Sequence, residues 1–256
     1  NGKKLDDEIY ISIGNKCKSA QVLKKLGLRH LSFPFDYITT RPDLILKYIK
    51  SFDNFLPIKG HVCNKDGVWF GHFLKKYIKK ADYINVVSTF KRRYKRLIDT
   101  FNSNQNICLI YSAGAEIYYN KLNLRNPSNY SSLVELYKYL SKNFNSKFRI
   151  IAFHTNKIYN NDVNYNITNF TINVDELFYS YSVTQRLISS FYSNIFYNVL
   201  RTLLLGADFK EKNYTKLEID RTLPNYNQLS LKYWKSKREI KLRLKRDKIL
   251  WNTSSL

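Results

Sequence analysis

The chain has 256 residues, 44% of them hydrophobic and 16% aromatic. That is enough apolar material for a folded core, and it excludes a disordered polypeptide. Lysine and arginine number 43 against 20 acidic residues, a formal net charge of +23 that predicts attraction to polyanions. A/T-rich coding, which favours Lys, Asn, Ile and Tyr, is an alternative source of much of the lysine. The sequence shows no signal peptide and no apolar run long enough to span a membrane.

The three cysteines, Cys17, Cys63 and Cys108, form neither a CxxC metal pair nor an even disulfide framework. We therefore expect free thiols in a reducing, cytoplasmic compartment. The sequence contains no methionine. This is compatible with a fragment of a larger multidomain protein, with a processed form, or with the loss of modified methionines from the sequence.

The first predicted elements flank a glycine. Residues 9–14 form a β-branched run that predicts a buried strand ending at Gly14, and apolar residues three apart predict a helix over 17–26. Residues 40–52 begin with a threonine cap, a proline and an aspartate, which are typical of a helix start. Residues 58–74 are rich in glycine and histidine and predict a loop.

Strands and helices alternate along the middle of the chain. We predict strands over 83–87, 107–111, 148–153 and 168–174, and helices over 90–101, 132–144 and 183–205, with a capping box at Ser132. This order predicts an α/β fold with a mostly parallel central sheet and helices on both faces. We assign residues 1–210 to a single domain and residues 211–256 to a helical and basic C-terminal extension or linker.

The corner between the first strand and the first helix is the best candidate site. Gly14, Asn15 and Cys17 fall at the carboxyl edge of the predicted sheet, where ligands bind in open α/β folds. A helix N-terminus favours the thiolate form of a cysteine. The alternative is that Cys17 is a small residue that only packs the first turn.

A thiol nucleophile needs a base. His72 lies in an aromatic loop flanked by glycine and is the best candidate, while His154 at the end of a predicted strand is the alternative. Asp36 follows Pro-Phe, where a buried carboxylate needs partners. It is predicted either to orient a histidine or to cap the turn before Thr40.

Basic residues cover one side of the predicted helix over 90–101. Arg92, Arg93 and Arg96 lie on this face and match the geometry of phosphate oxygens, although solvated helix faces often carry such charge. The sequence has no P-loop, no GxGxxG, no HExxH, no acidic metal cluster and no DxD triplet. We expect no metal site and no required cofactor.

Several of these motifs occur in the same order in a known family. "ISIGNKC", "LKKLGLRHLSFPFDYI", the loop around His72 and "FKRRYKRLIDTF" resemble a domain family of unknown function labelled "putative papain-like cysteine peptidase". The resemblance covers roughly residues 8–155. It implies that Cys17, His72 and Asp36 occupy shared positions, with Arg92, Arg93 or Arg96 in the shared basic helix.

The chain also departs from this family's pattern. Phe73 stands where the family has an aspartate, Tyr37 replaces a tryptophan, and the strand after the basic helix ends in Tyr-Ser-Ala without an arginine. Related domains resemble parts of surface-polysaccharide machinery, which implies a link to glycan assembly. The label implies a papain fold, whereas the residue pattern predicts a parallel α/β sheet.

Three functions are compatible with these observations. The first is a thiol-dependent hydrolase or acyl transferase acting on a small-molecule, glycan or peptide substrate, with Cys17 as nucleophile, His72 as base and Asp36 as orienting group. The second is a glycosyltransferase or other sugar-modifying transferase of glycan biosynthesis. It would use a nucleotide sugar and have substrate contacts from Gly14, Asn15, the three arginines and His154. The third is a non-enzymatic module that binds polyanions.

Overall fold

The computed structural model describes residues 8–14, 17–38, 40–70, 73–74, 80–112, 130–155, 162, 164–172, 196–197, 199–205, 216–219 and 228–232. The elements in chain order are β1 (Glu8–Ser12), α1 (Lys18–Lys25), α2 (Pro42–Lys50), a 3-10 turn (Phe52–Asn54), α3 (Lys80–Phe101), β2 (Asn106–Ser112), α4 (Tyr130–Asn143), β3 (Lys147–Thr155), β4 (Ile167–Ile172), β5 (Lys216–Ile219) and β6 (Gln228–Lys232).

The strands form one sheet in the order β1-β2-β3-β4-β6-β5. β1 to β4 are all parallel, β6 is parallel to β4, and β5 pairs antiparallel with β6 at the far edge. Parallel neighbours require crossover connections, and α3 and α4 supply them before β2 and β3. The carboxyl ends of β1 to β4 therefore meet at one edge of the sheet.

The sheet has a separate hydrophobic core on each face, because successive strand residues point to opposite sides. Ile11, Leu109 and Ile150 belong to the core that residues of α2, α3 and α4 complete. Cys108, Ile110 and Ile151 belong to the other, which α1 and the helical residues 196–197 and 199–205 cover. The predicted mostly parallel sheet with helices on both faces is thus confirmed.

The predicted strand over residues 83–87 is wrong, because these residues lie inside α3. One apolar stripe of this long helix is buried, with residues four, seven and four positions apart: Val86, Phe90, Leu97 and Phe101. The β-branched pair Val86 and Val87 favoured a strand, and packing of the whole stripe overrides that local preference.

One other predicted boundary needs adjustment. α4 begins at Tyr130, so Ser132 lies in its first turn and does not cap it. Of the helix predicted over 183–205, residues 196–197 and 199–205 are described and helical. β5 and β6 fall in the segment 211–256, whose other residues, including the predicted helical and basic part, lie outside the described chain. The division at residue 210 stays a prediction.

In the described part of the chain, no helix combines the length and apolar character needed to cross a membrane. The three cysteines are free thiols, as the sequence predicts.

Phe55 is the centre of an aromatic cluster in the first core. Its ring is fully buried and lies 5.1 to 5.8 Å from five other rings, measured between centroids. These neighbours come from the segment 33–37, α2, the 3-10 turn, the loop before α3, and α3 itself: Phe35, Tyr48, Phe52, Phe70 and Phe90. Phe55 therefore joins the segments that later prove to surround Asp36.

We expect Phe55→Ala to lower the free energy of unfolding by about 3–5 kcal/mol, because it leaves a cavity that five rings line. Urea denaturation followed by fluorescence and circular dichroism measures this loss. Phe55→Leu is the matched control and is expected to lose much less. Equal losses for the two variants would contradict a packing role.

Candidate functional site

Gly14 lies where β1 and β2 approach each other beyond their carboxyl ends. A Cβ on Gly14 would lie 3.0 Å from the amide nitrogen of Ser112 and 2.6 Å from Oγ of Ser19. Oγ of Ser19 is also 2.6 Å from Oγ of Ser12, and both hydroxyls are buried. The corner after β1 therefore leaves no space for a side chain at Gly14.

Cys17 follows this corner as the N-cap residue of α1. Its side chain makes no capping hydrogen bond, its carbonyl oxygen accepts from the Gln21 amide at 2.9 Å, and it is partly exposed. The first turn of α1 contains no acidic residue. Cys17 therefore combines access to solvent with a position at a helix N-terminus, two features that reactive thiols share.

Cys108 shows the opposite environment on the neighbouring strand. It is fully buried in the second core, and burial raises the pKa of its thiol far above the usual value. Cys63 is partly exposed and lies in the loop before α3, where it pairs with Trp69 in an isolated bridge. Cys108 is thus a buried, protonated thiol, whereas reagents can reach Cys17 and Cys63.

Two of the predicted site residues, Asn15 and His72, lie outside the described residues. Phe73, which follows His72, is described. Its ring lies 4.9 Å from that of Phe90 and 5.2 Å from Cζ of Arg93. Phe73 therefore packs against α3 at Phe90 and Arg93.

His154 is fully buried near the carboxyl end of β3, and its Nε2 lies 2.9 Å from Oδ1 of Asn169 on β4. The Asn169 side chain also hydrogen-bonds Tyr130, whose hydroxyl lies 3.0 Å from the Asp162 carboxylate. These four residues form a chain of hydrogen bonds that runs from β3 through β4 to Tyr130, the first residue of α4, and to Asp162.

The direction of this chain follows from its last member. A carboxylate only accepts, so Tyr130 donates to Asp162 and must accept from the amide nitrogen of Asn169. Oδ1 of Asn169 then faces His154, and Nε2 of His154 carries the hydrogen. Burial and the bond to Asp162 raise the pKa of Tyr130 to about 12, against the opposing bond from Asn169, and this keeps the Tyr130 hydroxyl a donor. In neutral His154 the basic lone pair therefore lies on Nδ1.

Asp36 is 1% exposed and closes a tight turn. Its Oδ2 accepts from the backbone amide of Phe33 at 3.0 Å and from Nε of Arg29 at 2.9 Å. Arg29 also donates to Oγ of Ser32 at 2.8 Å, and Tyr37 in the same turn adopts a left-handed φ of 63°. The carboxylate thus holds a strained turn, and no histidine is among its partners in the described residues.

Burial raises the pKa of the Asp36 carboxyl above its usual 3.8. The Phe33 amide, Arg29 and Arg93 oppose this shift, in that order of effect. The opposing groups show that positive charge gathers around this carboxyl.

The three predicted arginines of α3 are not equivalent. Arg96 donates from Nη1 to the carbonyl oxygen of Ser32 at 2.8 Å and so ties α3 to the Asp36 turn. Arg93 lies against the rings of Phe73 and Phe90, and burial lowers its pKa, which the charge of Asp36 opposes. Arg92 is exposed.

The structure therefore brings Asp36, Arg93, Arg96 and Phe73 together. No hydrogen bond joins Cys17 to an imidazole within the described residues, so the proposed triad remains a prediction. The sequence analysis missed Arg29 and Asn169, because each has its partner on another segment. No local pattern in the sequence indicates these two contacts, because they form only when the segments meet in the folded chain.

An open cleft of about 810 Å³ lies at the opposite, amino edge of the sheet. Glu8 and Tyr10 of β1, His30, and Asn104 to Asn106 before β2 are among its lining residues. It is far along the strands from Gly14 and shares none of the predicted site residues.

We expect Gly14→Ala to destabilise the fold by about 1–3 kcal/mol, because the added carbon overlaps the Ser112 backbone. Urea denaturation of Gly14→Ala in a Ser19→Ala background, against Ser19→Ala alone, isolates the backbone clash. Unchanged stability in that pair would contradict the close packing at this corner.

Asp36→Asn should destabilise the fold by about 1–3 kcal/mol, because its amide places an NH2 group among the donors that the carboxyl oxygens of Asp36 now face, the Phe33 amide and Nε of Arg29. The pKa of Asp36 is raised on folding, so its protonation stabilises the native state at low pH, and this contribution is lost as pH rises through the folded pKa. The stability advantage of wild type over Asp36→Asn should fall as pH rises above about 3.8 and then level off. Urea titrations at several acidic pH values measure this; an advantage that grows with pH would contradict it.

Comparison with known proteins gives one family match. Residues 8–67 match the model of a family described as "Putative papain-like cysteine peptidase". No curated protein and no solved structure matches the chain. The matched segment contains the Gly14 to Cys17 corner and the Asp36 turn, so over this part the chain is similar to the family that its motifs resemble.

Proposed function

We propose that the chain is a thiol-dependent enzyme, a hydrolase or acyl transferase, with Cys17 as its nucleophile. The observation that carries the proposal is the partly exposed thiol at the N-terminus of α1, beside the carboxyl edge of a parallel sheet. The family match over residues 8–67 supports it. A reducing, cytoplasmic compartment belongs to the proposal, because it keeps Cys17 a free thiol.

In this reaction a base takes the Cys17 proton and the thiolate attacks a carbonyl carbon of the substrate. The bond to the leaving amine or alcohol breaks, and that group takes the proton from the base. Water or a second acceptor then attacks the thioester and releases Cys17. The reaction needs no cofactor, since sulfur and an imidazole carry every step.

We keep His72 as the proposed base, because Phe73, the next residue in the chain, packs against Phe90 and Arg93 of α3. His154 is the alternative, supported by the bond from Nε2 to Asn169 that leaves its basic lone pair on Nδ1. For Asp36 we propose the turn-holding role, because it binds Phe33 and Arg29.

The test compares two accessible cysteines. We expect iodoacetamide to modify Cys17 at least about tenfold faster than Cys63 at neutral pH, because the proposed base activates Cys17 for attack. Peptide mass mapping measures both rates in one sample. Cys17→Ala should abolish labelling by acyl-directed electrophilic probes, and Cys63→Ala should not. Equal rates, or probe labelling that survives Cys17→Ala, would sink the proposal.

Comparing His72→Asn with His154→Asn then identifies the base. The variant that lacks the base should lose the rapid Cys17 alkylation, while the other should keep it. If both variants retain the wild-type rate and its pH profile, neither imidazole activates the thiol.

A second candidate is a glycosyl- or other sugar-modifying transferase of glycan assembly, which the excess of guanidinium groups over carboxylates around Asp36 favours. It would break the bond between the anomeric carbon and the diphosphate of a nucleotide sugar and form one to an acceptor hydroxyl. Screening donors by thermal shift and product mass tests it. Binding of any polyanion, with an affinity that falls steeply with salt and no turnover, would instead favour the non-enzymatic module.

A further inference from the structure

One guanidinium nitrogen in the described chain lacks a partner in a setting that normally requires one. Nη1 of Arg93 is buried, and among the described residues it makes no hydrogen bond. Arginine presents five N–H donors, and burying one unpaired near a charge costs free energy. An unsatisfied donor of this kind is rare in folded proteins and requires an explanation.

The surroundings of Arg93 cannot supply the missing acceptor through their rings alone. Its Cζ lies 5.2 Å from the ring centre of Phe73 and 5.6 Å from that of Phe90. Aromatic faces stabilise a cation, but they do not replace an oxygen acceptor in the guanidinium plane. The two rings therefore position the guanidinium and leave its N–H edge to another group.

The charge balance around Arg93 is also incomplete. Asp36 is the carboxylate that acts on it, and Oδ2 of Asp36 already accepts from Arg29 and from Phe33. Arg96 donates to a neutral carbonyl, that of Ser32. Among the described residues, Arg29 and Arg96 add positive charge beside Arg93, and Asp36 is the carboxylate that opposes it.

We propose that Arg93, together with Arg29 and Arg96, forms a binding site for an oxyanion, such as the phosphate or carboxylate group of a substrate. The arginine fork matches two oxygens of either group, and a doubly charged anion would balance the excess charge. The site goes beyond the thiol chemistry proposed for Cys17, because it rests on α3 and the Asp36 turn.

Arg92 is the matched control, since it is the adjacent residue on the same helix with the same charge. Arg92 is exposed, so water solvates its charge. Removing either arginine lowers the net charge equally. A general attraction of the basic surface would therefore weaken by the same amount in Arg92→Gln and Arg93→Gln, whereas a built site depends on Arg93.

The experiment is isothermal titration of the full chain with inorganic phosphate, pyrophosphate, acetate and succinate, at constant ionic strength set with chloride. We expect at least one of these anions to bind, about tenfold or more weaker to Arg93→Gln, and within about twofold of wild type to Arg92→Gln. Preference for the two phosphates identifies a phosphate ligand, and preference for acetate or succinate identifies a carboxylate.

Absence of binding by all four anions, or equal weakening in the two glutamine variants, overturns the proposal. If Arg93→Gln does not fold, Arg93→Lys replaces it. Lysine keeps the charge but lacks the planar fork, so affinity should still fall. Full affinity in Arg93→Lys would show that binding depends on positive charge alone and not on the guanidinium fork, and this would also overturn the proposal. Cys17→Ala should bind the anion like wild type, which separates this outcome from that of the thiol proposal.

Discussion

The buried carboxylate of Asp36 is the constraint on which the rest of the site depends. A carboxylate that is 1% exposed must be matched by donors, and the chain supplies the Phe33 amide and Arg29. These bonds close the turn, and Arg96 of α3 then reaches the Ser32 carbonyl of the same segment. One charge thereby joins the region after α1 to the long helix before β2.

The same charge explains why arginines gather here. Arg93 lies over Phe90, a member of the aromatic cluster around Phe55, and over Phe73, which packs against Phe90, and the charge of Asp36 acts on it. Packing therefore brings guanidinium groups close together, and one carboxylate does not offset them. A site with surplus buried positive charge is suited to bind anions, while the exposed lysines of the chain only contribute to its general field.

Much of the sheet could be predicted from the sequence, because its strands are short apolar runs such as Ile107 to Tyr111 that only a doubly covered strand uses. The segment 83–87 could not, since its β-branched residues fit a strand locally and only the continuing stripe to Phe101 places it in α3. For the site, the position of Cys17 after Gly14 was predictable from order alone. The partners of Asp36 and His154 were not, because Arg29 and Asn169 reach them through the turn and across neighbouring strands.

The sequence by itself determined the parallel α/β class, the glycine corner and the placement of a cysteine at a helix start. These depend on periodicity and on neighbouring residues along the chain. Tertiary structure alone decided that Cys17 is partly exposed while Cys108 is buried, that Asp36 binds an arginine, and that Arg93 packs against two rings while Arg92 is exposed. Burial and charge compensation are properties of groups that meet only after folding, so spacing along the chain does not contain them.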